Sequence, residues 1–101
     1  MLMENATKLV NDCIKRLGLD DDIHIIPNAI TRNIAIEGNK DGFTYATTIL
    51  SKEDNIAKKY IEEQVMKLYN SGLTQNEIAK KLSISQSSVS IYIRASKKCN
   101  N

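Results

Sequence analysis

Residues 73–96 read LTQNEIAKKLSISQSSVSIYIRAS, and this stretch decides the fold. It begins where an apolar helical pattern stops at Gly72. Thr74 then stands in an N-cap position, with Glu77 three residues on. That is the spacing of a capping box: the hydroxyl accepts an amide of the first turn, and the carboxylate reaches back to the cap. Ile78, Ala79 and Leu82 recur on one helical face, while Gln75, Asn76, Lys80 and Lys81 take the other. Ser83-Ile84-Ser85 interrupts that period. Ser85 is a second N-cap, and Val89, Tyr92 and Ile93 supply the apolar side of a second helix. Two helices joined by so short a link cross closely, so the inner residue of the first has to be small, and Ala79 is. Ile84 plugs the turn and Val89 packs down onto it.

A segment built this way resembles the helix-turn-helix superfamily, in the tri-helical form found in resolvases, sigma-factor region four and many small repressors. The residues that carry the resemblance are Thr74-Gln75, Ile78-Ala79, Leu82, the run from Ile84 to Ser90, and Tyr92-Ile93. Two positions depart from the family pattern. Ser83 stands where Gly is usual, at a turn residue that wants positive φ. Ile91 stands where many relatives carry Arg.

The resemblance implies that the second helix enters a DNA major groove. Gln86, Ser87, Ser90, Ile91 and Arg94 would then meet base edges, Gln86 as a bidentate partner for adenine and Ile91 against a thymine methyl. Thr74, Gln75, Ser85, Ser88, Lys97 and Lys98 would meet the sugar-phosphate backbone. One short recognition helix reads few base pairs, so a homodimer on paired half-sites is expected.

Charge is distributed to match. The chain of 101 residues has a formal net charge of +2. Residues 1–57 hold six basic and nine acidic side chains, net −3, whereas residues 58–101 hold eight basic against three acidic, net +5. The basic part is the part that holds the motif, as expected for attraction to phosphate. The length suits one DNA-binding domain, divided into a helix and β-hairpin over 1–50, a tri-helical unit over 51–96 and a polar tail over 97–101.

From the start of the chain, Leu9, Val10, Cys13, Ile14 and Leu17 form a helical stripe, which predicts an amphipathic helix over 5–17. Gly18 ends it, and Leu19 folds back. Asp20-Asp21-Asp22 reads as a solvated turn; the alternating ligands, Gly and distal Glu of a calcium loop do not follow. Ile23, Ile25 and Ile26 surround the single His24 in a β-like run, and Pro27 excludes a central strand there. Residues 28–33 fit either a loop or a strand continuation.

Ile34-Ala35-Ile36 and the run from Phe43 to Leu50 are strand-like, with Asp41-Gly42 in the turn between them. A hairpin beside a helix-turn-helix suggests a wing placed upstream of the motif, with Arg32, Asn39 and Lys40 as its DNA contacts. Glu37 and Asp41 flank that tip, so a hairpin that only covers the core fits equally well. Ser51 with Asp54 marks the start of a long helix whose inner face is Ile56, Ala57, Tyr60, Ile61, Val65, Leu68 and Tyr69. The expected class is α+β: an N-terminal helix, a β-hairpin wing, then the tri-helical unit, winged helix-like with the wing upstream.

Other chemistry is not expected. Cys13 and Cys99 are the only cysteines, one on an apolar face and one in a polar tail, so neither a disulfide framework nor a zinc site is predicted. One His, no nucleophile–base set and no phosphate loop argue against an enzyme, and no cofactor, metal or small-molecule ligand is called for. No leader pattern or long apolar run is present, which predicts a cytoplasmic chain without a membrane partner. The composition and motif point to a transcriptional regulator of bacterial, phage or mobile-element origin that binds double-stranded DNA. Two alternatives are an accessory protein of a plasmid transfer origin, similar in size and layout to TcpK-like relaxosome components, and a protein-interaction module such as an antitoxin or sigma-like adaptor.

Overall fold

A computed structural model describes residues 6–99, with the side chains of 6–96. The elements are α1 (Ala6–Leu17), β1 (Asp21–Asn28), β2 (Asn33–Lys40), β3 (Phe43–Leu50), α2 (Ile56–Asn70), α3 (Gln75–Leu82) and α4 (Gln86–Cys99). The class is α+β in the order expected. The chain divides into two compact units, residues 1–60 and 61–101, and each has its own apolar cluster.

In the first unit α1 buries Ala6, Val10 and Cys13, one position per turn, with Leu9, Ile14 and Leu17 packed beside them. Gly18 closes the helix at φ 71°, its amide donating to the Lys15 carbonyl and the Leu19 amide to Ile14. These are the two bonds of a Schellman motif, and Leu19 is turned into the core by them.

The sheet is antiparallel with order β1-β2-β3. It therefore has one strand more than the expected hairpin. Pro27 is accommodated because β1 is an edge strand, where a missing amide costs no ladder bond if it faces outward. The acidic run does not form a free turn: Asp21 and Asp22 lie inside β1, where the register shifts before His24 and Asp22 takes φ 51°. That bulge supplies the extra residue that re-aims the strand. Residues 29–32 are a turn, held by the Asn28 side chain accepting from the Ile30 and Thr31 amides.

At the other end Asp41 and Gly42, at φ 52° and 82°, are the two residues between β2 and β3. Positive φ at both positions is the twist a two-residue hairpin needs. Central β2 is the most buried strand. Ile34 and Ile36 are fully enclosed, facing Ile25 and Ile49 from the neighbouring strands.

Ser51 does not cap α2. Residues 52–55 form turns, and the helix begins at Ile56 with the Asn55 side chain accepting from the Lys58 amide. Asn55 also donates to the Ala29 carbonyl, so the cap is fixed by a distant loop that local sequence does not reveal. At the chain end the helical backbone of α4 continues to Cys99, past the Ser96 boundary expected. Asn100 and Asn101 lie outside the described residues, as does Asn5, where α1 was expected to begin.

At Gly38 the sheet leaves little room for a side chain. A Cβ built there would stand 3.0 Å from Leu19 Cδ1, 3.2 Å from Leu19 Cβ and 3.3 Å from Ile23 Cγ1. Its absence lets Leu19 lie flat on β2. Gly38→Val should therefore destabilise the fold by about 1–3 kcal/mol, the usual cost of overpacking. Urea denaturation monitored by circular dichroism checks this; an unchanged midpoint would show that Leu19 and Ile23 move aside freely.

Candidate nucleic-acid interface

In the second unit α3 and α4 pack on α2 around Val65, Ile78, Ala79, Val89 and Ile93, all buried. Ile61, Met66, Leu68, Tyr69, Leu73, Leu82, Ile84 and Tyr92 close the cluster. Met66 is the member that the helical pattern did not single out. The Tyr92 hydroxyl has its pKa raised, first by burial and then by the negative charge of Glu62 on α2.

Each joint of this unit is built from backbone chemistry. α2 stops at Gly72, φ 98°, with the Leu73 amide donating to Leu68 and the Gly72 amide to Tyr69. α3 starts with the expected capping box. The Glu77 amide donates to Thr74 Oγ1 at 3.2 Å, and Glu77 Oε1 accepts from the Thr74 amide at 2.8 Å. Those bonds hold the Glu77 carboxyl below its ordinary pKa.

α3 ends on Ser83 at φ 58°, ψ 42°, the left-handed conformation usually given to Gly. The Ile84 amide bonds the Ala79 carbonyl at 3.0 Å, so this turn too is a Schellman closure. It drops Ile84 onto the cluster and presents Ser85 at the head of α4. Ser85 Oγ accepts the Ser88 amide at 3.1 Å and donates to Ser88 Oγ at 2.9 Å.

The five residues expected at base edges fall on one side of α4. At about 100° per residue, Gln86, Ser90, Arg94, Ser87 and Ile91 sweep an arc of roughly 140°. Val89 and Ile93 fall outside that arc, beside its Gln86 edge, and are buried in the core. Gln86, Ser87 and Arg94 are exposed, Ile91 is 58% exposed and Ser90 is half-buried. No acidic side chain occurs anywhere in α4. Lys80 and Lys81 stand exposed in the last turn of α3.

The residues expected at the phosphate backbone are less uniform. Ser85 has both its hydroxyl proton and one lone pair engaged in the cap, whereas Ser88 keeps its own proton to donate. Thr74 has its amide engaged by Glu77, and Gln75 is half-buried. The anionic Glu77 offsets part of the positive end of α3. The side chains of Lys97 and Lys98 lie outside the described residues.

Of the three residues expected on a wing, Asn39 and Lys40 stand together beside the β2–β3 turn and Arg32 lies apart from them. Arg32 lies in the turn before β2, its Nη1 donating to the Lys52 carbonyl at 2.7 Å. Asn39 and Lys40 are at the far end of the same strand. Asn39 accepts from Thr44 Oγ1 and donates to Asp22. The Lys40 side chain lies over Gly18, where an added Cβ would be 3.1 Å from its Nζ. The ammonium thus sits at the C-terminal end of α1, where the helix dipole favours a cation.

Among the described residues no three His, Cys, Asp or Glu side chains are grouped to hold a metal. None of the described helices is long and apolar enough to cross a membrane. Compared with known families, residues 61–98 match the model of bacterial regulatory proteins of the luxR family (GerE). No curated protein and no solved structure matches the chain.

Two outcomes test the joints. Ser83→Gly should raise stability by up to ~1 kcal/mol by removing the side-chain penalty of left-handed backbone. A loss of stability in thermal or urea unfolding would refute that. The lowered Glu77 pKa means the cap contributes fully above the ordinary value of 4.5 and is lost as pH falls through the folded value. Helicity followed on acidification should therefore decline less steeply in Glu77→Gln than in the parent; parallel curves would exclude the cap as a source of the acid sensitivity.

Proposed function

We propose that the chain, whose residues 61–98 match a family of bacterial regulatory proteins, is a sequence-specific transcriptional regulator, of bacterial, phage or mobile-element origin, that lays the helix-turn-helix element α4 in the major groove of double-stranded DNA. The observation that carries this is the exposed face of α4. It presents Gln86, Ser87, Ser90, Ile91 and Arg94 together, free of acidic side chains, while Val89 and Ile93 are locked into the core.

Gln86, in the first turn, has the amide geometry to pair bidentately with adenine N6 and N7. Ser87 and Ser90 offer short donors to base edges or phosphates, and Ile91 offers an apolar contact to a thymine methyl. Arg94, a turn and more beyond, takes guanine or phosphate. Thr74, Gln75, Ser88, Lys97 and Lys98 are assigned to the backbone, and Lys80 and Lys81 to longer-range attraction. Ser85 serves as the cap that aims the helix. Arg32, Asn39 and Lys40 are left out of this reading, because Arg32 and Asn39 have hydrogen-bond partners within the first unit and Arg32 lies at the opposite end of β2 from Asn39 and Lys40. Two copies on paired half-sites supply the specificity that one helix lacks.

The test starts with selection of bound sequences from random double-stranded DNA, read for motif and half-site spacing. On the selected site Gln86→Ala should lose roughly 1–3 kcal/mol of binding, and on random DNA little. Equal losses on both would remove Gln86 as a base reader, and no salt-dependent mobility shift with any DNA would remove the function itself.

A further inference from the structure

The two edges of the sheet are built differently. β1 carries several devices that discourage pairing with another chain: Asp21, Asp22, a bulge and Pro27. β3 carries none. Its eight residues, FTYATTIL, include no charge, no Pro and no Gly. Its register with β2 runs without a shift from Phe43 to Leu50, and none of its residues has positive φ. Among the described residues no strand pairs with its outer side. Phe43, Tyr45 and Leu50 are 69%, 44% and 57% exposed.

A long, regular, uncharged edge is a template for strand addition. We propose that β3 pairs antiparallel with β3 of a second copy about a two-fold axis, joining two three-stranded sheets into one of six strands. Self-pairing suits this edge because it opposes no like charges, whereas β1 paired with itself would set carboxylates against carboxylates. A second copy is also the occupant that paired half-sites demand, so the inference deepens the DNA-binding reading and rests on it for its purpose.

Geometry narrows the register. A two-fold normal to the sheet keeps each inward face inward, so paired residues must share a face. The axis then passes through Ala46, pairing Thr44 with Thr48, or through Thr47, pairing Tyr45 with Ile49 and Ala46 with Thr48. A slip of one residue between these is excluded.

The experiment uses the full chain without DNA. Sedimentation should show a dimer. Ala46→Lys with Thr48→Lys opposes like charges in either register and should raise the dimer dissociation constant at least about tenfold. His24→Lys with Ile26→Lys, on β1, adds the same charge and should leave it unchanged. Thr47→Cys or Ala46→Cys, in a Cys99→Ser background, should form an intermolecular disulfide on mild oxidation, which needs no folding comparison between variants. A chain that stays monomeric at millimolar concentration, a dimer indifferent to the β3 lysines, or cross-linking at neither cysteine would overturn the proposal. Failure of DNA binding is read separately: the β3 lysine variant should still bind a single half-site and lose affinity only for paired ones.

Discussion

The turn at Ser83 is the constraint on which the DNA-binding unit depends. One left-handed residue lets the Ile84 amide reach back to the Ala79 carbonyl. That bond ends α3, sets Ile84 on the cluster and leaves Ser85 to cap α4. Ala79 must be small for the same reason, since the backbone that closes on its carbonyl also brings Val89 over it. Which face of α4 points outward follows from where that turn releases it. Gln86 and Arg94 are exposed because Val89 and Ile93 are held.

The same device recurs. Gly18, Gly72 and Ser83 each take positive φ, and each is followed by an apolar residue, Leu19, Leu73 or Ile84, that folds into a core. At two of the three joints glycine makes the conformation easy. At the third a serine tolerates it, held by the two flanking caps, Thr74 with Glu77 on one side and Ser85 with Ser88 on the other. Local hydrogen bonding, more than the size of the apolar clusters, thus sets the angles of a small unit. The first unit relies on packing instead: Gly38 admits Leu19 to the middle of the sheet, and Ile34 and Ile36 fill the space beneath α1.

Much of this was legible in residue order. The helical stripes of α1, α2 and α3, the capping box, the Asp41-Gly42 hairpin and the exclusion of Pro27 from a central strand all arise from interactions within a few residues, so spacing reveals them. The start of β1 did not arise that way, because Asp21 and Asp22 join the β-like run of Ile23 to Ile26 only through a bulge that pairing with β2 stabilises. Nor did the start of α2, since Asn55 is chosen over Ser51 through its bond to the Ala29 carbonyl, 26 residues away. The grouping of Gln86, Ser87, Ser90, Ile91 and Arg94 was readable from helical periodicity. The placement of the Arg32, Asn39 and Lys40 side chains was not, for it depends on what each meets: the Lys52 carbonyl, Asp22 and Thr44, and Gly18.

Sequence by itself determined the presence of the helices and of the β2–β3 hairpin, the class of the C-terminal unit and the side of α4 that faces outward, because each follows from short-range periodicity and capping. Tertiary structure decided which polar side chains are spent within the fold and which stay free. Ser85 and Lys40 are as polar as Gln86 and Arg94 on paper. Only the folded chain places Ser85 on an amide and Lys40 over a helix end, and leaves Gln86 and Arg94 exposed on α4.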